Sequence, residues 1–146
     1  MGCSAGLLAR QLHHMFGMQH KILVVDDEES ILFAMSAYFM THGYQVDCAR
    51  EMQEAEALLA TVRYSVVIAD LRLSELPSTE GIEIVRYVHE RCPGTRTILL
   101  TAYGSPEIER EARRWGVDSF LHKPLPLPKV AQIVLELLGR SPPEPA

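Results

Sequence analysis

Carboxylates stand at the C-terminal ends of two short apolar runs in this chain. KILVV is followed by Asp26 and Asp27, and SVVIA is followed by Asp70. Oxygen ligands of this kind suit Mg²⁺, and clustered carboxylates repel one another unless a cation or a proton neutralises them. These residues therefore predict a divalent-cation site, provided that the fold brings them together.

A hydroxyl and an ammonium stand at the ends of two later apolar runs. Thr101 closes TILLT, and Lys123 follows SFLH. Lysine offers a point charge to a phosphoryl group, and a threonine hydroxyl can hydrogen-bond one of its oxygens. A carboxylate beside a bound cation can act as a nucleophile and form an aspartyl-phosphate. Asp70 is the candidate nucleophile because its strand is predicted to be the most buried, which leaves Asp26 and Asp27 to hold the metal.

The elements that must position these residues alternate along the chain. Short apolar runs rich in β-branched residues predict strands, and apolar residues at i, i+3 and i+4 predict helices. The strands are predicted at 21–26, 44–48, 65–70, 96–101 and 119–121, and the helices at 29–42, 51–60, 81–91, 105–115 and up to 138. This alternation predicts an α/β fold, a right-handed doubly wound sandwich. Ligands of such sheets bind at the C-terminal ends of the strands, where the polar residues fall.

Length, net charge, apolar runs and cysteine count limit the classes of protein to which this chain can belong. The chain has 146 residues and a net charge of -5, which indicates one domain without the basic surface of a nucleic-acid binder. No apolar run approaches the ~20 residues of a membrane span. The odd number of cysteines, 3, indicates free thiols and a cytoplasmic location. We expect a domain at 21–139, preceded by an N-terminal extension or expression remnant (1–20) and followed by a tail or the start of a linker (140–146).

Four motifs in order resemble the receiver domain of two-component response regulators, over roughly residues 21 to 138. They are VVDDE at 24–28, VIAD at 67–70, LLTAYG at 99–104 and FLHKP at 120–124. The resemblance implies a flavodoxin-like fold, a (βα)5 sandwich whose five-stranded parallel sheet has the order 2-1-3-4-5. It also implies that Asp70 accepts a phosphoryl group from a sensor histidine kinase in the presence of Mg²⁺.

The same resemblance assigns the metal ligands and the phosphate-binding group. Asp27 would bind Mg²⁺ directly, Asp26 would bind it mainly through water, and Asp70 and the backbone carbonyl of Arg72 would supply further ligands. Lys123 would bind the phosphoryl group, and its bond to Pro124 matches a peptide bond that is cis in the family.

Two further positions resemble the family's switch residues. Thr101 would be the switch hydroxyl and Phe120 the switch aromatic. Phosphorylation would then change the surface of the fourth helix, fifth strand and fifth helix for an unknown downstream target or output domain. A homodimer that depends on phosphorylation is a further expectation of this resemblance.

The chain departs from the family pattern after Asp70. The segment DLRLSELPSTEG is longer than expected by about three residues, against the short βα loops of most α/β units. In the family, the residues that stand two after the phosphoacceptor and two after the threonine tune dephosphorylation. Here these residues are Arg72 and Tyr103, which are large and lack the acid or amide that positions a water, so we expect a long-lived phosphoryl group.

Two other functions are less consistent with these residues. A phosphatase with an aspartyl-phosphate intermediate needs a second acid two residues after the nucleophile, and Arg72 occupies that position. An interaction module that works without phosphorylation would have no use for the full set of site residues. The chain is therefore predicted not to be an enzyme beyond catalysing its own phosphorylation and dephosphorylation.

Overall fold

The computed structural model describes residues 20–70 and 80–139, and every predicted element falls within them. The strands are β1 (Lys21–Val25), β2 (Gln45–Ala49), β3 (Val66–Ala69), β4 (Arg96–Thr101) and β5 (Ser119–His122), and the helices are α1 (Glu29–Thr41), α2 (Met52–Thr61), α3 (Glu80–Arg91), α4 (Pro106–Arg114) and α5 (Leu127–Leu138). The predicted bounds differ from these by about one residue, because terminal residues leave the hydrogen-bond pattern first.

The strands form one parallel sheet in the order β2-β1-β3-β4-β5. This order confirms the predicted flavodoxin-like, doubly wound α/β fold. Val25 at the end of β1 is in register with Ala49 of β2 and Ala69 of β3. The residues that follow these strands therefore leave the sheet at the same level. All four residues of β3 are buried, as expected of a central parallel strand covered on both faces.

Two helical layers cover the sheet because successive side chains of a strand point to opposite faces. On one face, Leu23, Val67 and Leu99 belong to a core cluster that includes residues of α2, α3 and α4. On the other face, Ile22 and Ile98 belong to a second cluster with residues of α1 and α5. The helices thereby cover both faces of the sheet, and the polar residues predicted for the site lie at the C-terminal ends of its strands.

The helix ends follow the local sequence signals. Gly43, after α1, has a φ of 90°, which glycine adopts without steric cost. The Ser105 hydroxyl accepts a hydrogen bond from the Ile108 N–H at 3.3 Å, and Pro106 is the first residue of α4. This cap ends the loop between β4 and α4 that lies beside the site.

Neither a membrane span nor a disulfide is found in the described part of the chain. None of the helices there is both long enough and apolar enough to cross a membrane. Cys48 and Cys92 are free thiols, and Cys3 lies outside the described residues.

Candidate functional site

The fold brings the predicted carboxylates together at the C-terminal rim of the sheet. Asp26 and Asp27 follow β1, Asp70 follows β3, and an oxygen of each lies within 4.8 Å of the others. Asp26 and Asp70 are buried, with 3% and 6% of their surfaces exposed, and Asp27 is exposed. The rim therefore holds two sheltered carboxylates and one that faces solvent.

Backbone hydrogen bonds hold the buried carboxylates in place. The Asp26 N–H donates to the Ala49 carbonyl at 3.1 Å, and the Asp70 N–H donates to the Val25 carbonyl at 3.0 Å. Both bonds extend the ladder one residue beyond the strand. Oδ1 of Asp26 also accepts from the Glu28 N–H at 3.0 Å. The carboxylates are thus oriented by the sheet itself.

Lys123 joins the two buried carboxylates. Its Nζ donates to Oδ2 of Asp26 and to Oδ2 of Asp70, each at 2.9 Å. Such charge-assisted bonds are roughly twice as strong as bonds between neutral groups. From the sequence, Lys123 is predicted to bind the phosphoryl group, and neither ion pair is predicted. The available signal was the presence of three acids and one ammonium at the same rim. The peptide bond from Lys123 to Pro124 is cis, as the resemblance implied.

Burial and charge shift the pKa values of Asp26 and Lys123. Both shifts favour the binding of a second cation beside the Lys123 ammonium. Burial raises the pKa of Asp26 by more than the hydrogen bonds from Glu28 and Lys123 lower it. Burial alone would lower the pKa of Lys123, but the hydrogen bonds and charges of Asp26 and Asp70 outweigh it and raise that pKa. Lys123 is therefore charged at neutral pH, and the ionised Asp26 is only partly compensated. Carboxylate oxygens in this arrangement fit a divalent ion such as Mg²⁺.

Thr101 and Phe120 adjoin the rim and are both buried. Thr101 has no exposed surface, and its Oγ1 accepts a hydrogen bond from the Tyr103 N–H at 3.0 Å. Its carbonyl accepts from the Lys123 N–H at 2.9 Å. Phe120 is 6% exposed and lies in the core beside α2, α3 and α4. The backbone thus connects the threonine directly with the lysine and with the loop before α4.

Part of the predicted site falls outside the described residues. Arg72, with its predicted metal-binding carbonyl, and the lengthened loop belong to residues 71–79. Tyr103, the other residue expected to tune dephosphorylation, is described and is 56% exposed. Because Arg72 is not described, the expectation of a long-lived phosphoryl group stays a prediction.

Comparison with known proteins identifies a family whose members accept phosphoryl groups, which agrees with the chemistry of these residues. A family model described as the response regulator receiver domain matches residues 22–135. Response regulator protein PilR of Pseudomonas aeruginosa is 32% identical over 126 residues, which cover 86% of this chain and 28% of PilR. The likeness therefore concerns about a quarter of that relative's length and leaves the rest of it aside.

Solved structures agree in fold. A CheY-like response regulator receiver domain protein from Methanospirillum hungatei JF-1 has a TM-score of 0.75 at 28% identity, covering 82% of this chain and 93% of that chain. A response regulator protein from Burkholderia pseudomallei, solved with a phosphorylated aspartic acid, a calcium ion and citrate, has a TM-score of 0.72. It is 24% identical and covers 79% of this chain and 66% of that chain, so it bears on the fold alone.

These findings do not favour the phosphatase or the phosphorylation-independent module. The family model spans residues of both core clusters and every strand end at the rim. The motifs that carried the sequence resemblance lie at that rim, in the strand order that the family implies. The chain belongs to the family of response regulator receiver domains of two-component signalling.

Proposed function

We propose that this chain accepts a phosphoryl group on Asp70 from a sensor histidine kinase in a Mg²⁺-dependent reaction. The observation that carries the proposal is the position of Asp70. Its buried carboxylate lies at the end of a central strand, 2.9 Å from an ammonium and within 4.8 Å of two further carboxylates. An acceptor needs this combination of a shielded nucleophile, a fixed cation and ligands for a second cation.

The transfer is a displacement at phosphorus. A carboxylate oxygen of Asp70 attacks the phosphorus of the kinase phosphohistidine, and the P–N bond breaks. The electron pair of that bond stays on the imidazole nitrogen, which takes up a proton. Lys123 already contacts Asp70, so its ammonium can pair with a phosphoryl oxygen without a large movement. A bound Mg²⁺ would neutralise charge on the carboxylates and the phosphoryl oxygens.

The proposed metal ligands follow the resemblance to receiver domains, and the exposure and hydrogen bonds of the carboxylates are consistent with them. Asp27, which is exposed, is the direct ligand, and Asp26 acts mainly through water because both of its oxygens already accept hydrogen bonds. Asp70, whose carboxylate lies in the same cluster, and the carbonyl of Arg72 are the remaining protein ligands of the proposal.

Magnesium is expected to raise the melting temperature of the chain, since a ligand at a hundredfold excess over its Kd stabilises a fold by about 2.7 kcal/mol. Asp27→Asn should raise the Mg²⁺ concentration needed for half of this shift by about tenfold, because one charged ligand is lost. Thermal unfolding over a Mg²⁺ titration measures both effects. Glu83→Gln, an exposed acid of α3, should behave as the wild type. Identical titrations for Asp27→Asn and the wild type would contradict the assignment.

The phosphoryl group would act as a switch by changing contacts inside the domain. Thr101 and Lys123 turn towards it, Phe120 follows, and the surface formed by α4, β5 and α5 changes for a downstream partner or output domain. The group shifts the balance only through its differential contacts in the two states. A homodimer that forms after phosphorylation is a further part of the proposal.

The remaining proposals concern the setting of the domain. We place its bounds at 21–139, with the segments 1–20 and 140–146 outside it. The free thiols of Cys48 and Cys92 fit a reducing, cytoplasmic compartment. We also propose that this chain does not bind nucleic acid directly, because its net charge is -5 and nucleic-acid binding surfaces are basic.

Incubation with acetyl phosphate and Mg²⁺ is expected to add the mass of one phosphoryl group, because the domain would supply its own catalytic groups. Intact-mass spectrometry measures the gain, and reduction with borohydride followed by peptide mapping locates it. Chelation of the metal with EDTA should abolish the gain. Absence of labelling with Mg²⁺ present would overturn the proposed function, and the decay of the labelled species in the same experiment tests the predicted long lifetime.

A further inference from the structure

Gly104, in the loop between β4 and α4, lies against the rings that end β5. A Cβ atom built at Gly104 would stand 2.7 Å from Cε1 of Phe120 and 3.0 Å from Cζ of Phe120 and Cε1 of His122. Carbon atoms attract each other best at about 3.5–4.0 Å, so these positions leave no room for a methyl group. The loop and the buried Phe120 can therefore hold these positions together only if residue 104 has no side chain.

The need for glycine here is a matter of space. The glycines with positive φ in the described part of the chain are Gly43, Gly94 and Gly116, so the backbone at Gly104 is one that other residues adopt. The Phe120 ring that faces Gly104 is also held from two sides. Phe120 packs into the core, and its ring meets the ring of His122 edge to face at a centroid distance of 5.5 Å.

The same loop is attached to the threonine of the site. Oγ1 of Thr101 accepts the Tyr103 N–H at 3.0 Å, and Tyr103 immediately precedes Gly104. A hydroxyl that turns towards a new oxygen acceptor changes this bond, and the change reaches the backbone at residue 104 within one peptide unit. The path from Thr101 to Phe120 therefore consists of one hydrogen bond, one peptide unit and one van der Waals contact.

We infer that Gly104 is a positioning residue that couples Thr101 to Phe120. The space left by its missing side chain accommodates the inward Phe120 ring, and movement of the loop narrows or opens that space. A methyl group at residue 104 would displace the ring or the loop and would shift the balance, without phosphorylation, towards the state in which the Phe120 ring leaves the core. This inference rests on the proposed role of Thr101 in sensing the phosphoryl group.

The test is Gly104→Ala, with Gly139→Ala as the matched control because a Cβ there would meet its nearest atoms at 3.5 Å and 3.6 Å. The chain has 4 phenylalanines, so para-fluorophenylalanine gives few fluorine NMR signals, and Phe120→Leu assigns the one from residue 120. In Gly104→Ala this signal should move and gain a solvent isotope shift. The initial rate of phosphorylation by acetyl phosphate should also rise, by about three- to tenfold, since apparent affinity follows the population of the competent state.

Each outcome of this test decides something. A Phe120 signal unchanged by Gly104→Ala overturns the inference, and so does a moved signal with an unchanged or slower phosphorylation rate. A moved signal in a protein that is never phosphorylated, mutant or wild type, refutes the proposed function and leaves the steric contact standing.

A stability comparison covers the case in which Gly104→Ala folds poorly. Combining Gly104→Ala with Phe120→Leu removes the ring carbons nearest to the new methyl group. The fall in melting temperature caused by Gly104→Ala should then be less than half of its size in the wild-type background. An equal fall in both backgrounds overturns the contact on which the inference depends.

Discussion

Asp70→Asn is expected to abolish labelling by acetyl phosphate, with a fall in rate of roughly a thousandfold or more, as found when a catalytic nucleophile is removed. The amide that replaces the carboxylate is neutral and a poor nucleophile. Asp27 is exposed and Asp26 is already bound by Lys123 and the Glu28 N–H, so neither is placed to replace Asp70. Intact-mass spectrometry over a time course with Mg²⁺ measures the loss.

Two controls separate the acceptor from the metal ligands and from the fold. Labelling of Asp27→Asn should slow and then recover at higher Mg²⁺ concentration, whereas no Mg²⁺ concentration should restore labelling of Asp70→Asn. The far-UV circular dichroism of Asp70→Asn should match the wild type, because Lys123 keeps its bond to Asp26. Labelling of Asp70→Asn at the wild-type rate would move the acceptor to another residue.

Lys123→Met is expected to lower the free energy of unfolding at neutral pH by about 3–5 kcal/mol in the absence of divalent cations, the usual cost of breaking a buried ion pair. The ammonium contacts two carboxylates, Asp26 and Asp70, whose side chains are 5% and 7% exposed. Its loss leaves both buried carboxylates without this ion pair. Urea unfolding followed by circular dichroism in EDTA measures the change. Lys21→Met is the matched control, since its pair with Asp47 is about a third exposed and should contribute less than about 1 kcal/mol.

The loss of unfolding free energy in Lys123→Met should become smaller at acidic pH. Burial raises the folded-state pKa of Asp26 above its ordinary 3.8, so the folded state binds the proton more tightly than the unfolded chain. The stability of the variant should therefore rise as the pH falls through that raised pKa. The pKa of Lys123 is raised above 10.5, so in the wild type its contribution is complete at neutral pH and disappears only above that value.

Two further measurements keep this prediction specific. Adding Asp26→Asn to Lys123→Met should restore much of the lost stability, because one of the two stranded charges is removed. Mg²⁺ should also restore part of it by supplying a new cation. Equal losses in Lys123→Met and Lys21→Met, with no dependence on pH, would show that the buried ion pairs contribute little.

The element pattern could be predicted because burial on both faces leaves a plain trace in a parallel strand. VVIA in β3 and ILLT in β4 are buried throughout and read as continuous apolar runs. The position of each polar residue directly after such a run then predicted convergence at one rim. The order of the strands came from the resemblance to a family, since alternation alone does not select one doubly wound order.

Helix α1 shows that helical spacing also predicts which side of a helix is buried. Ile31, Leu32, Met35, Tyr38 and Phe39 stand at helical spacing in the sequence, and all of them are buried or half-buried in the core cluster of that face. Phe33 and Met40 fall outside this spacing and are exposed.

The chemical groups of the site and their meeting place can be predicted from the chain alone. Asp26, Asp27 and Asp70 lie at one rim with Lys123, because strand periodicity and parallel order carry that information. The folded structure was needed to show that Lys123 bridges two of these carboxylates and that a side chain at residue 104 would collide with Phe120. Such contacts depend on side-chain rotamers and loop paths. They are set by the packing of residues far apart in the chain, and no local pattern records them.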